Sequence, residues 1–150
     1  MCYCLFKFLS ELRECFQAGW EPLWLCSLTV HNGLIYSGSW DKTLKVWNLW
    51  DLECLESIKA HDDAINGLVA CRREIVYSAF ADGNIKARGM EKEREGGKFK
   101  KSNKISHRLK EVLEGHKDVS LNSVVVSDDE KRVYSDGDVM GWEFSESSDA

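Results

Sequence analysis

Most of this chain alternates apolar and polar residues with the two-residue period of β-strands. Leu44 and Val46, for example, alternate with Thr43 and Lys45. Runs of this kind are separated by turn signals such as Asp82-Gly83, where glycine tolerates the positive φ of a tight hairpin. The pattern predicts successive units of four short antiparallel strands. We expect these strands near residues 25–30, 34–39, 43–48, 53–59, 63–70, 74–80, 84–89, 107–114, 119–126, 131–135 and 138–143.

The first residues of the chain have a different period. Their apolar side chains fall at helical spacing, with polar side chains on the opposite side. Gly19 is placed to end such a helix, and Pro22 reinforces the break. We predict an amphipathic helix over residues 3–17 that either docks on an exposed face or a partner, or is a foreign segment joined to the array. Its apolar side consists of Leu5, Phe8, Leu9, Leu12 and Phe16, and its polar side of Lys7, Glu11, Arg13, Glu14 and Gln17.

One stretch of the sequence occurs twice at a fixed distance. Residues 36–47 return as residues 77–88, an offset of 41, and the Asp-to-Trp spacing at the end of the first copy recurs in residues 136–142. A small residue followed by histidine forms a second marker, which ends at His61 and again at His116. A period of about 40–45 residues indicates a repeat architecture, in which each unit needs neighbours to bury its apolar face.

These markers resemble those of WD repeats, the blades of a β-propeller, which combine a Gly-His dipeptide with a Trp-Asp-like end. Segments 37–47, 60–69 and 114–120 are similar, more narrowly, to the plant JINGUBANG-like group of WD-repeat proteins. The resemblance covers about residues 23–144. It implies an all-β fold, a partial β-propeller of two to three four-stranded antiparallel blades, preceded by the N-terminal amphipathic helix.

The number of blades decides what to expect of the isolated chain. A closed propeller takes 4–8 blades, and fewer than three complete ones are present here. We expect a fragment of a larger propeller with two bare end faces. If each face exposes roughly 500 Å² of apolar surface, the hydrophobic stabilisation lost is about 12 kcal/mol per face. The predicted segments are an N-terminal helical segment at 1–19, blade 1 at 23–60, blade 2 at 61–114 with a basic loop insert at 91–106, an incomplete blade 3 at 115–144 and a polar tail at 145–150.

In WD repeats a His, a Ser or Thr, an Asp and a Trp form one hydrogen-bonded network, so the resemblance implies structural rather than catalytic roles for these residues. Each unit lacks one residue of this network. Unit one has no upstream His, unit two has Arg88 in place of Trp, and in unit three Tyr134 lies only two residues before Asp136, so we expect its Ser to be missing. The implied network residues are Ser37, Asp41 and Trp47 in unit one, His61, Ser78 and Asp82 in unit two, and His116, Asp136 and Trp142 in unit three.

The net charge of −5 argues against a general nucleic-acid binder. Residues 91–110 are nevertheless basic, with eight Lys or Arg against three Glu. They also contain the roughly 14 residues by which the distance from unit two to unit three exceeds the repeat period. Such a segment is typical of a solvated loop, and the alternative is a weak nucleic-acid or phosphate contact or a nuclear localisation signal.

Nothing in the sequence indicates a cofactor or a metal site. The six cysteines form no C-x-x-C pair, which is typical of reduced intracellular thiols. We find no phosphate-binding loop, nucleophile elbow or zinc motif, and therefore expect no catalytic residue, no cofactor and no metal. No apolar run reaches 18 residues and no signal-peptide pattern is present, so we expect no membrane partner and an intracellular, cytoplasmic or nuclear, location.

These observations favour a non-catalytic WD-repeat scaffold for protein–protein interaction, with protein partners whose identity the sequence does not give. One alternative is a truncated product without independent function, in which self-association replaces the missing blades. The other is a weak contact of residues 91–110 with nucleic acid or phosphate.

Overall fold

The structure is a computed structural model of the 150-residue chain, and it describes residues 25–72, 74–91, 94–95, 98–99, 105–115, 119–136 and 140–143. The described residues form antiparallel β-sheets and no helix, which confirms the predicted all-β class. The predicted N-terminal helix lies outside these residues, as do the polar tail and much of the basic insert.

The first sheet, blade 1, is made of four strands that neighbour each other in chain order. Its turns follow from local residues. Asn32 and Gly33 both have positive φ between the first two strands, as a two-residue hairpin requires. Asp41 begins the next turn, where its carboxylate accepts a hydrogen bond from the backbone N of Thr43 at 2.9 Å. The strands are β1 (Leu25–His31), β2 (Leu34–Ser39), β3 (Thr43–Asn48) and β4 (Cys54–Lys59).

The second sheet, blade 2, repeats this arrangement with an insertion before its last strand. Its strands are β5 (Ile65–Cys71), β6 (Ile75–Phe80), β7 (Asn84–Glu91) and β10 (Ser106–Glu114), in the spatial order β10-β7-β6-β5. Between β7 and β10 the chain forms a separate short hairpin of β8 (Arg94–Glu95) and β9 (Lys98–Phe99). The segment predicted as a basic loop therefore contains a hairpin among its described residues.

The third sheet, blade 3, has three strands in the described part of the chain. The sequence predicts its first strand over 119–126, but the strand begins only at Val124. The backbone N atoms of Asn122 and Ser123 donate to the carboxylate of Asp136 at 2.9 and 3.1 Å, so they are not used in a strand ladder. The strands are β11 (Val124–Val126), β12 (Arg132–Ser135) and β13 (Met140–Glu143).

Apolar side chains fill the spaces between successive blades. We call the side of a blade that points toward the preceding blade its rear face, and the opposite side its front face. Since side chains alternate along a strand, Tyr36 lies on the front face of blade 1 and Ile35 on its rear face. A Cβ at Gly38 would lie 2.5 Å from Ile65, so glycine permits the close approach of blades 1 and 2.

Two buried clusters hold the three blades together. The cluster between blades 1 and 2 contains Leu34, Tyr36, Leu44, Val46, Ala60, Ile65, Leu68 and Val76. The cluster between blades 2 and 3 contains Cys71, Tyr77, Ala79, Ile85, Ala87, Leu113, Leu121, Val124 and Val133.

Candidate functional site

The register of the sheets shows which positions of the three blades are equivalent. In each blade one apolar residue of the second strand faces the position at which WD repeats carry Trp. This alignment agrees with the 41-residue offset between the first two units. The facing pairs are Ile35 with Trp47, Val76 with Arg88 and Val133 with Trp142.

In blade 1 the structure brings two of the predicted network residues together. The indole N–H of Trp47 donates to the hydroxyl of Ser37 at 2.9 Å, which links β3 to β2. Asp41 instead holds its own turn by accepting hydrogen bonds from the backbone and hydroxyl of Thr43. Burial acts to raise the pKa of Asp41, but the hydrogen bonds from Thr43 outweigh it, so the pKa lies below its usual value.

In blade 2 the buried His61 ring binds Ser78, with 3.0 Å between Nε2 and Oγ. The Ser78 hydroxyl also lies 3.3 Å from the carbonyl oxygen of Lys86, which can accept its proton when Nε2 is the donor to Oγ. Burial, together with the charges of Lys86 and Arg88, lowers the pKa of His61 to about 2, and the ring is therefore neutral. Nδ1 of this ring is buried and has no hydrogen-bond partner among the described residues. Asp82 accepts a hydrogen bond from Asn84 within its own turn.

Arg88, which stands at the Trp position of blade 2, is a buried cation. Its Nη2 donates to the carbonyl of Ala60 at 3.0 Å, and Nζ of Lys86 reaches the same oxygen at 3.3 Å. Burial lowers the pKa of Arg88, although the charge of Glu56 acts in the opposite direction. Arg88 thus links β7 to the residue before His61, a contact that spacing alone does not predict.

Blade 3 differs from the prediction at its serine. Ser135 lies two residues beyond Val133, as Ser37 lies two residues beyond Ile35, so the serine expected to be missing is present. The shortening falls in the turn that follows, and Asp136 therefore directly succeeds the serine. The hydroxyl oxygen of Ser135 is buried and has no hydrogen-bond partner among the described residues.

The structure describes the three predicted network residues of unit three to different extents. The carboxylate of Asp136 binds the backbone before β11, and although burial raises its pKa, the backbone hydrogen bonds of Asn122 and Ser123 bring it below the usual value. His116 lies outside the described residues, and of Trp142 the structure describes the position on β13.

A buried polar chain that the sequence does not reveal connects blades 1 and 2. Nδ1 of His107, on β10, lies 2.7 Å from Oε2 of Glu56, on β4, and its Nε2 lies 3.2 Å from the hydroxyl of Tyr36, on β2. The backbone N of His107 also donates to Glu56 at 3.1 Å. Burial, followed by the charges of Glu74 and Glu56, raises the pKa of Tyr36 to about 12. His107 is 51 positions from Glu56 and 71 from Tyr36 in sequence, and no local signal joins them.

This chemistry is suited to holding blades together. The His107 side chain is fully buried, so an external substrate has no access to its imidazole. In the described part of the chain no group of three or more His, Cys, Asp or Glu is placed to hold a metal ion. None of the described segments contains a helix long and apolar enough to cross a membrane.

Large exposed side chains lie at both ends of blade 1. Trp40 is 56% exposed in the turn between β2 and β3, and Trp50 is 77% exposed in the turn between β3 and β4. Because β2, β3 and β4 are antiparallel neighbours, these two turns lie at opposite ends of the sheet. The blade thus presents one exposed indole at each end.

Comparison with known proteins supports the WD-repeat assignment. Residues 19–48 match the family described as WD domain, G-beta repeat. A segment of 52 residues is 36% identical to an uncharacterised WD repeat-containing protein of Schizosaccharomyces pombe, and the match covers 34% of this chain and 14% of that protein. The crystal structure of the computationally designed Ika4 protein is similar with a TM-score of 0.58 and 27% identity, over 79% of this chain and 64% of that one.

The chain therefore spans less than two thirds of the length of either protein. The matches and the fold describe a propeller-like stack of WD-type blades. WD repeats generally mediate protein–protein interaction, and propellers built from them are generally non-enzymatic.

Proposed function

We propose that this chain is a non-catalytic scaffold that binds protein partners through the end of blade 1 that carries Trp40. The exposed Trp40 indole is the observation that carries the proposal. Tryptophan is enriched among the residues that dominate the energy of protein interfaces. Its turn is fixed by hydrogen bonds of Asp41 with Ser39 and Thr43, so binding orders little additional backbone.

The charge around Trp40 defines the kind of partner. Exposed acidic residues occupy its own turn, the segment between β4 and β5, and the β6–β7 turn, all of which lie at the same end of the blades. Lys42 and Lys59 are also exposed there, so four acidic side chains outnumber two basic ones. An acidic rim around an apolar anchor favours a partner segment that carries Lys or Arg. The acidic residues are Asp41, Asp62, Asp63 and Asp82.

Selection from a library of random displayed peptides tests this surface and does not require an identified partner. We expect enrichment of basic peptides whose affinity falls at least about tenfold in the Trp40→Ala variant, because an anchor of this kind contributes roughly 2 kcal/mol or more. The matched control is Trp50→Ala, which removes the more exposed indole at the opposite end of the same blade. The control should retain the affinity of the unchanged protein.

Two results would contradict the proposal. One is the absence of any peptide that binds the unchanged protein better than the Trp40→Ala variant. The other is a set of peptides that depend on Trp50 and are indifferent to Trp40.

The proposed scaffold includes two narrower statements. Relationship to the plant JINGUBANG-like group is supported by the similarity of segments 37–47, 60–69 and 114–120, and a phylogeny of WD-repeat sequences that places these segments outside that group would refute it.

An intracellular location is supported by six cysteines without a C-x-x-C pair. A fluorescent fusion should appear in the cytoplasm or nucleus, and accumulation in the secretory pathway would refute this location.

A further inference from the structure

A buried cation on the rear face of blade 2 forms no ion pair with the described residues. Arg88 is 6% exposed, and its Nη2 donates to the carbonyl oxygen of Ala60 at 3.0 Å. Its Nη1 is also buried and has no hydrogen-bond partner among the described residues. A guanidinium group presents its donors in a planar fork that matches a carboxylate. The fork of Arg88 is therefore only partly used.

The charges around this guanidinium are not balanced. Lys86 precedes Arg88 by two residues on β7, and its Nζ reaches the same Ala60 oxygen at 3.3 Å. The charge of Glu56 acts to raise the pKa of Arg88, but the Glu56 carboxylate already binds the ring and the backbone N of His107 at 2.7 and 3.1 Å. A buried charge without a close counter-charge is costly. The position therefore favours one further anion.

Two exposed apolar side chains lie beside these cations. In the ladder between β7 and β10, Leu109 faces Arg88 and Val112 faces Lys86. A bulge between Leu109 and Glu111 brings the two apolar residues, which are three positions apart, to the same face of the blade. They are 48% and 41% exposed. The outer part of the rear face thus places an apolar pair next to a cation that lacks a counter-charge.

We propose that this patch binds an acidic segment of a protein partner, whose carboxylate pairs with Nη1 of Arg88 and whose flanking apolar side chains contact Leu109 and Val112. Because β10 is the edge strand of its sheet, an extended segment reaches the patch from the outer margin of the blade. Nη1 is buried, so the carboxylate enters when the exposed side chain of Leu109 changes rotamer. The apolar pair offers contact area that a free inorganic anion does not use.

This patch is distinct from the surface around Trp40. The acidic residues near Trp40 favour a basic partner, whereas Arg88 and Lys86 favour an acidic one. Glu114, which faces Asn84 at the end of β10, bounds the patch on the side of the Trp40 turn. The inference goes beyond the proposed scaffold function and does not depend on it, because the two surfaces differ in position and in charge.

Two matched libraries of displayed peptides test the proposal on the full chain. Both contain short peptides with leucine or valine on either side of a fixed central residue, which is glutamate in one library and glutamine in the other. We expect the glutamate library to yield binders whose affinity falls at least about tenfold in Arg88→Gln, because a charge-assisted hydrogen bond is lost. Arg108→Gln is the matched control, since it removes the same charge from an exposed arginine that pairs with Glu91. The control should retain the affinity of the unchanged protein.

A second pair of variants decides the question if Arg88→Gln does not fold. Leu109→Ser with Val112→Ser alters exposed positions of the patch and should weaken the same peptides by about tenfold, because apolar contact area is lost. Val125→Ser makes the same change at an exposed valine of blade 3 and should leave the affinity unchanged. Trp40→Ala should also leave it unchanged.

Four results would overturn the proposal. Glutamine peptides that bind as tightly as glutamate peptides would show that no carboxylate is recognised. Equal losses in Arg88→Gln and Arg108→Gln would indicate general electrostatic attraction. Loss of binding in Trp40→Ala would assign the peptides to the other surface. Saturation of the Arg88 side-chain NMR signal by inorganic phosphate, with no peptide binding more tightly, would assign the site to a small anion.

Discussion

The rear face of blade 1 and the front face of blade 3 are the two ends of the same stack, yet they differ in exposure. Ile35, on the inner strand β2 of the first face, is completely buried, whereas Val125, on the edge strand β11 of the second, is 56% exposed. Val125 faces Tyr134, the residue equivalent to the buried Tyr36 and Tyr77. Both ends lack a neighbouring described blade, so blade count alone does not determine their exposure.

The difference teaches that the two end faces of the described stack are not equivalent, although each lacks a neighbouring described blade. The number of blades predicts two bare ends, whereas the rear face of blade 1 is covered at its centre.

The largest effect should come from truncating a buried side chain on one end face, with truncation of an exposed side chain on the other as its counterpart. Ile35→Ala should lower the free energy of unfolding by about 2–4 kcal/mol, because it leaves a cavity in a covered face. Val125→Ala removes fewer atoms from an exposed position and should change the free energy of unfolding by less than about 0.5 kcal/mol. Urea denaturation measures both, and equal losses would erase the distinction between the two ends.

Adding atoms to a covered face should have a smaller but still measurable effect. In Gly38→Ala the new Cβ would meet Ile65 at 2.5 Å, which should cost about 1–3 kcal/mol through overpacking between blades 1 and 2. The matched change on the bare face is Val125→Ile, which adds one carbon and should be nearly neutral. A neutral Gly38→Ala would show that the blades are not in close contact there.

The smallest effect is a pH dependence of stability, which arises from a buried residue of blade 2 and not from either end face. Because the pKa of His61 is lowered to about 2 in the folded state, the unfolded state binds one more proton between about pH 6.5 and pH 2. Stability should therefore fall as pH decreases below 6.5, by at most about 1.4 kcal/mol per pH unit from this group. Between pH 7 and pH 5 the usual carboxylates remain ionised and add little to this slope.

His61→Asn should reduce that slope, whereas Ile35→Ala and Val125→Ala should leave it unchanged. Unfolding free energies measured at half-unit intervals from pH 5 to 7 provide the comparison. An identical slope in the His61→Asn variant would mean that the histidine ionises as readily in the folded chain as in the unfolded one.

The parts of this structure that depend on local spacing could be predicted from the sequence. Period-two alternation predicts β3, and the resemblance to WD repeats implies that His61 and Ser78 belong to one hydrogen-bonded network. Residues within one blade meet through hairpins, so their separation in sequence determines their contact. The same resemblance implies Ser37 and Trp47 as partners, and the two side chains are hydrogen-bonded.

Contacts between blades could not be predicted in this way. His107 reaches Glu56 and Tyr36 because β10 follows an irregular insertion and packs against the preceding blade, and no periodicity encodes that distance. The serine of blade 3 could not be predicted from the sequence, because its position was counted back from Asp136 and the turn between the two strands is shorter in this blade. The sheet register, in contrast, aligns Ser135 with the serines of the other blades.

Hydroxyl-radical footprinting of the unmodified, dilute protein tests the asymmetry of the two ends most directly, since oxidation reports the solvent contact of individual side chains. Each residue is normalised to its oxidation in the urea-unfolded chain. We expect Ile35 to be strongly protected and Val125 to be oxidised to about half of its unfolded level or more, with both values independent of protein concentration. Comparable oxidation of Ile35 and Val125 would contradict a covered rear face on blade 1.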